Sequence, residues 1–185
     1  MLYTRKGDKG DTGFFGSDKR VSKASARPEA LGALDELNSL LGVCKVNAEK
    51  QDFVTKEGNH SIAKILNEIQ QNLFIVGSEL AGAEKTISED KVKRVEIIIA
   101  DIEKELPEIK TFRIPGGTPI SALFDYARAV SRRLERKALA VCEEGEANMG
   151  DYSKQFLNRL SSLLYAFARL ANVKSGIKEQ SPTYE

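Results

Sequence analysis

A three-and-four spacing of apolar residues recurs in five separate segments, and this limits the chain to a bundle of amphipathic helices. The second segment shows it best: Ile62, Ile65, Ile69, Leu73, Val76 and Leu80 form a seam in a helix expected over about His60–Gly82. Before it, about Pro28–Asn47 carries Leu34, Leu37, Leu41 and Cys44, with Pro28 suited to a first helical turn. Ser88 and an acidic first turn (Glu89, Asp90) open a third helix along Val92, Val95, Ile99, Ile102 and Leu106, and Pro107 closes it. After a break at Pro115-Gly116-Gly117, Thr118-Pro119 starts a fourth helix that runs to about Glu144 along Leu123, Ala127, Val130, Leu134, Ala138 and Val141. Asp151 is expected to cap a fifth, with Phe156, Leu160, Leu164, Phe167 and Ala171 as its stripe.

Residues 1–26 lack that periodicity and predict an irregular loop with room for short strands, whereas 175–185 predict a frayed tail. The expected fold is therefore an all-α, five-helix up-down bundle with left-handed type packing (27–174), in a single domain spanning 1–185. At 185 residues such a domain buries a core without disulfides or a structural metal.

Charge excludes more than it assigns. The 28 Lys and Arg nearly cancel 27 Asp and Glu, so no global field draws the chain to nucleic acid or an anionic membrane. Cys44 and Cys142 stand apart with no C-x-x-C spacing and read as buried thiols in a reducing compartment. No secretory leader or membrane-length run is seen, which predicts a cytoplasmic protein. The single histidine, His60, lies in a polar stretch, and one His cannot build an H-E-x-x-H site or a His-based triad. No metal site is expected from the protein's own side chains.

Five segments carry chemistry. In Thr4-Arg5-Lys6-Gly7-Asp8-Lys9-Gly10-Asp11-Thr12-Gly13, glycines permit close backbone approach while Arg, Lys and Thr supply donors, an inventory for wrapping an oligophosphate. It lacks the Gly-Lys-Ser/Thr of a Walker A loop, and composition alone leaves a solvated basic arm equally open. On the fourth helix, 100° steps gather Arg128, Arg132, Glu135 and Arg136 on one flank, with Arg133 pointing elsewhere. Like charges so placed repel unless a carboxylate, a partner chain or a polyanion neutralises them; a salt-bridged surface helix is the plain alternative. Asn38 on the first helix falls within the apolar face and needs a partner, and Asn158, Ser161 and Tyr165 share a polar side of the fifth. Phe112, ahead of the Pro115-Gly116-Gly117 turn, suits either a large flat ligand or an ordinary loop anchor.

In this order, these segments resemble the PduO-type ATP:cob(I)alamin adenosyltransferases. The matching residues are Tyr3 to Gly10, Asp35-Glu36-Leu37-Asn38-Ser39, Phe112 with Pro115-Gly116-Gly117, Arg128 through Arg136, and Phe156 to Ser161. The resemblance covers nearly the whole chain. It implies a homotrimer with sites between subunits and transfer of the 5′-deoxyadenosyl group of ATP, with Mg²⁺, to cob(I)alamin. A reductase and a cobalamin-dependent acceptor enzyme would be its partners. It further implies that Thr4, Arg5, Lys6, Gly7, Thr12, Gly13 and Lys23 contact ATP from the loop. Arg132, Arg133, Glu135, Arg136 and Asn158 would complete the nucleotide site, while Asp35 and Arg128 would form an intersubunit salt bridge. By the same carry-over, Phe112 would exclude the lower axial ligand of cobalt, and Phe112, Arg132, Asp35 and Arg128 are the residues implied for catalysis. Ser162 departs from the family's usual acid, and the spacing from Gly13 to Lys23 also varies.

Overall fold

In a computed structural model of the chain, which describes residues 3–14, 18–50, 55 and 61–184, the five expected helices form. They are α1 (Ala26–Glu49), α2 (Ile62–Leu80), α3 (Glu89–Glu103), α4 (Pro119–Glu143) and α5 (Asp151–Lys174). The start of α2 expected at His60 lies outside the described residues. The N-terminal segment folds into a short antiparallel hairpin, β1 (Asp11–Gly13) with β2 (Arg20–Ser22), in which Thr12 faces Val21.

Side-chain pairs fix the direction of each helix. Gln70 Nε2 donates to the Asn38 carbonyl and Lys45 Nζ to Asn67 Oδ1, so α2 runs against α1. Lys137 pairs with Glu29 and Arg133 with Glu36, so α4 also opposes α1. Asn158 reaches Glu135 and Tyr165 lies under Arg128, which turns α5 against α4. Lys91 reaches Asn72 and Arg94 pairs with Glu68, so α3 opposes α2 and the helices alternate up and down in chain order.

The core explains which residues the stripes captured. Phe124, Phe156 and Phe167 are fully buried, and the rings of Phe124 and Phe167 lie 5.3 Å apart in a tilted pair, worth about 1 kcal/mol beyond burial. In α3 the buried row is Val92, Val95, Ile98 and Ile102, with Ile99 only flanking it. Helix α3 also ends at Glu103, so Leu106 packs from outside the helix. Helix α5 is covered on almost every side: Leu157, Leu163, Leu170, Arg169 and Asn172 are buried along with the expected stripe. It is the central helix, which a single stripe does not reveal.

Helix starts follow local chemistry. Thr118 and Ser121 form a reciprocal capping box around Pro119, as Thr-Pro at that point predicts. At α5 the cap is Gly150 and not Asp151, which occupies the first turn. The Gly150 N–H donates instead to the buried Glu79 carboxylate at 2.6 Å, so a residue of α2 performs the capping role. Arg27 donates to the last α2 carbonyl, Leu80, at 2.6 Å and lies 4.0 Å over the Phe14 ring, tying the hairpin to the bundle.

The tail expected to fray is docked. Glu179 accepts from Arg169 at 3.1 Å, and the Gln180 carbonyl accepts from the Ile114 N–H at 2.9 Å. A carboxylate that compensates a buried guanidinium has reason to stay. Cys44 is buried, and desolvation pushes its thiol up to about 12, whereas Cys142 is only half-buried. None of the helices among the described residues is long and apolar enough to cross a membrane.

Candidate active site

The N-terminal loop is held by its own hairpin. Arg20 grips Asp11 through both carboxylate oxygens, at 2.7 and 2.8 Å, and donates to the Lys6 carbonyl at 2.7 Å. Hydrogen bonding from Arg20 holds the Asp11 carboxyl below its ordinary range. Lys23 Nζ donates to the Gly7 carbonyl at 2.9 Å, and the Lys23 N–H donates to the Gly10 carbonyl. The hairpin thereby ties Lys6 and Gly7 to Arg20 and Lys23, with Thr12 and Gly13 on β1 paired to Val21 and Arg20. Arg5 adopts a left-handed φ of 59°, and Gly10 one of 81°. For Arg5 this conformation is uncommon, and it marks a turn shaped by something other than local preference.

A Cβ at Gly7 would meet Lys23 Nζ at 2.9 Å, so the glycine is what lets the ammonium approach the backbone. Lys23 could have been anticipated only through the resemblance, because nothing in its local pattern points back to Gly7. Among the described residues, none of Thr4, Arg5, Lys6, Gly7, Thr12, Gly13 and Lys23 is hydrogen-bonded to α4 or α5. Within one chain the loop and the arginine-bearing helix are two separate regions.

The second region lies on the outward faces of α4 and α5. Glu135 Oε1 accepts from Asn158 Nδ2 at 2.8 Å, and Asn158 Oδ1 accepts from Arg159 at 2.9 Å. These groups border a hollow of about 260 Å³ that also involves Leu139, Met149 and Lys154. Arg133 points to α1 and pairs with Glu36, as its angular offset predicts. Arg132 and Arg136 are exposed and have no hydrogen-bond or ion-pair partner among the described residues. The expected cluster is thus divided: Arg133 is neutralised, Glu135 is occupied by Asn158, and two guanidinium groups remain available.

One turn toward the start of α4, a groove of about 560 Å³ brings Phe112 together with Arg128, Tyr165, Tyr184 and Ile109. The Arg128 guanidinium lies 5.4 Å over the Tyr165 ring and has no salt-bridge partner among the described residues. Asp35 is exposed on α1 and makes no ion pair there either, so the expected Asp35–Arg128 bridge does not form within the chain. Asn38 leaves its Oδ1 buried without a hydrogen bond. Tyr184 was not anticipated, since a segment read as frayed offers no reason to face a groove.

The turn after Phe112 is built around glycine. The Gly116 N–H donates to Asp125 Oδ2 at 2.8 Å and its carbonyl accepts from Asn172 Nδ2 at 2.9 Å. Gly116 and Gly117 have φ of 108° and 121°. A Cβ at Gly117 would stand 2.4 Å from Asn172 Oδ1, whereas one at Gly116 meets nothing within 4 Å. Gly117→Ala is therefore expected to destabilise the protein by about 1–3 kcal/mol more than Gly116→Ala, because both carry backbone strain but only the first collides with a buried side chain. Denaturant unfolding of the two variants measures this difference.

A five-helix bundle with a cationic glycine loop at one end and unpaired arginines beside an aromatic groove defines a helical-bundle protein equipped for anionic, ring-bearing small molecules. The family model for cobalamin adenosyltransferase matches residues 2–171, and the chain belongs to that family. It is 36% identical to the corrinoid adenosyltransferase of Bacillus subtilis over 180 residues, covering 95% of this chain and 89% of that one. A corrinoid adenosyltransferase of Mycobacterium leprae is 33% identical, with 95% and 93% covered. Among solved structures, a variant PduO-type ATP:corrinoid adenosyltransferase from Lactobacillus reuteri, complexed with cobalamin and ATP, superposes with a TM-score of 0.86 at 29% identity, covering 99% and 97% of the two chains.

Proposed function

We propose that this chain transfers the 5′-deoxyadenosyl group of ATP to cob(I)alamin, giving adenosylcobalamin and inorganic triphosphate. The observation that carries the reading, beside family membership, is the pair of unspent guanidinium groups, Arg132 and Arg136, on the same helix whose Arg128 lines an aromatic groove. Cobalt(I) supplies the electron pair for the new Co–C bond, the C5′–O bond breaks, and its pair leaves on the triphosphate. No general base is required.

The protein's task is to align C5′ with the cobalt and stabilise charge on the departing triphosphate. Thr4, Arg5, Lys6, Gly7, Thr12, Gly13 and Lys23 wrap the phosphates, and Lys23 exchanges the Gly7 carbonyl for a phosphate oxygen as nucleotide arrives. Arg132, Arg133, Arg136, Glu135 and Asn158 complete the nucleotide site from the helices. Among the described residues there is no group of three or more potential metal ligands. Mg²⁺ would enter on the triphosphate oxygens, as part of the substrate.

The two half-sites join between subunits of a homotrimer, where the unpaired Asp35 of one copy meets Arg128 of the next. The cytoplasm, where thiols stay reduced, suits Cys44 and Cys142. The acceptor of the product is a cobalamin-dependent enzyme, and a separate reductase supplies the electrons.

An anaerobic assay with ATP, Mg²⁺ and chemically reduced cobalamin tests the reading. The expected result is adenosylcobalamin and triphosphate in equal amounts. ATP and corrinoid binding without product would replace it with a non-catalytic carrier, and the absence of binding with no ATP-induced rise in thermal stability would leave only a scaffold.

A further inference from the structure

Phe112 is 79% exposed, so packing of its own side chain does not hold it in place. Its position is inherited from the backbone between α3 and α4. One end of that segment is clamped at Gly116 by Asp125 and Asn172. The part that carries Phe112 is instead tied to the chain after α5. Ile114 N–H donates to the Gln180 carbonyl at 2.9 Å, Arg113 Nη1 donates to Ser181 Oγ at 2.9 Å, and the Thr111 and Ser181 hydroxyls lie 2.8 Å apart.

Glu179 anchors this contact. Its Oε2 lies 3.1 Å from Arg169 Nε and 3.9 Å from Arg113 Nε, so two guanidinium groups share one carboxylate oxygen. The Arg169 side chain is only 4% exposed, and its Nη2 donates to the Pro107 carbonyl at 2.9 Å, where the segment leaves α3. A single buried arginine therefore holds the strap after α5 and the base of the Phe112 segment together. Stability alone is a poor account of this arrangement, because buried ion pairs are commonly no better than apolar groups of the same shape.

We propose that Glu179 and Arg169 are positioning residues for Phe112, acting through Arg113 and the strap at 179–181 to fix the height of the aromatic ring in its groove. The proposal rests on the reading of Phe112 as the group that excludes the lower axial ligand of cobalt. It extends the functional region into the segment after α5.

The test is a pairwise cycle of Glu179→Gln with Phe112→Ala, assayed from cobalt(II) plus a reductant and from pre-reduced cobalt(I). Glu179→Gln is expected to slow the cobalt(II) reaction by about 5- to 20-fold. It should leave the cobalt(I) reaction and ATP affinity within twofold, and diminish the electron-paramagnetic signature of four-coordinate cobalt(II). In the Phe112→Ala background the same substitution is expected to add nothing, because its effect passes through the missing ring.

Ser181→Ala removes the hydroxyl that Arg113 and Thr111 share without stranding a buried charge. It is expected to show the same pattern at about two- to threefold, so the outcome does not hinge on the fold of Glu179→Gln. Wild-type behaviour of both variants, or a loss that multiplies in full with that of Phe112→Ala, overturns the proposal. If Phe112→Ala itself matches wild type from cobalt(II), the reading of Phe112 fails instead, and the two failures are told apart by that one arm.

Discussion

Replacing Arg132 with alanine is expected to lower kcat for adenosyl transfer by about 100- to 1000-fold, the range for removing a preorganised donor to developing negative charge. Its neighbours on α4 are committed: Arg133 to Glu36, Lys137 to Glu29, and Glu135 to Asn158. Arg132 is exposed and without a partner among the described residues, so its removal strands no buried group, and stability should stay within about 0.5 kcal/mol of wild type. Arg132→Lys keeps the charge but loses the planar fork that meets two phosphate oxygens together, and it is expected to recover only part of the rate. Single-turnover rates of all three proteins, with ATP affinity measured in parallel, check this. An Arg132→Ala protein that turns over within threefold of wild type removes Arg132 from the proposed site.

The same helix shows what a sequence can and cannot disclose. The offset of Arg133 from Arg128, Arg132 and Arg136 follows from 100° steps, and the Glu36 pairing agrees with it. That Asn158 would occupy Glu135 could not be read, because angular position on one helix does not say which residue of another lies opposite. In α5 the difficulty is the reverse. Arg169 and Asn172 look like exposed polar residues on a stripe, yet both are buried, with partners at Pro107 and Gly116 that are more than fifty positions away. The tail reads as frayed for the same reason: Glu179 has no local meaning until Arg169 and Arg113 are brought beside it. The hairpin strands are three residues each, too short for alternation to register. Periodic segments were legible because one face of one helix carries the signal. Contacts between distant segments carry no such signal within any one of them.

Phe112→Ala is expected to separate the two halves of the reaction. The side chain is 79% exposed and lines the groove with Arg128 and Tyr165, so truncation leaves the bundle core intact and the melting temperature nearly unchanged. Its proposed work is to keep the lower face of the corrinoid free of an axial ligand. A cobalt(II) that loses that ligand accepts an electron more readily, because the orbital receiving the electron is no longer raised by a donor beneath it; axial-ligand identity is among the strongest levers on a macrocyclic metal. Starting from cobalt(II) and a reductant, Phe112→Ala should therefore be slower by at least about 10- to 100-fold, the usual effect of losing a group that tunes a metal from outside its ligand set. Starting from pre-reduced cobalt(I), which already carries the reacting pair, the loss should shrink to a few-fold. Phe112→Leu keeps apolar bulk in the groove and is expected to fall between wild type and alanine in the cobalt(II) arm. The contrast between the two starting oxidation states is what a loop-anchoring role would not produce, since a groove that no longer seats the corrinoid would slow both arms alike. Equal losses in both would assign Phe112 to holding the groove together, and wild-type speed from cobalt(II) would take it out of the reaction altogether.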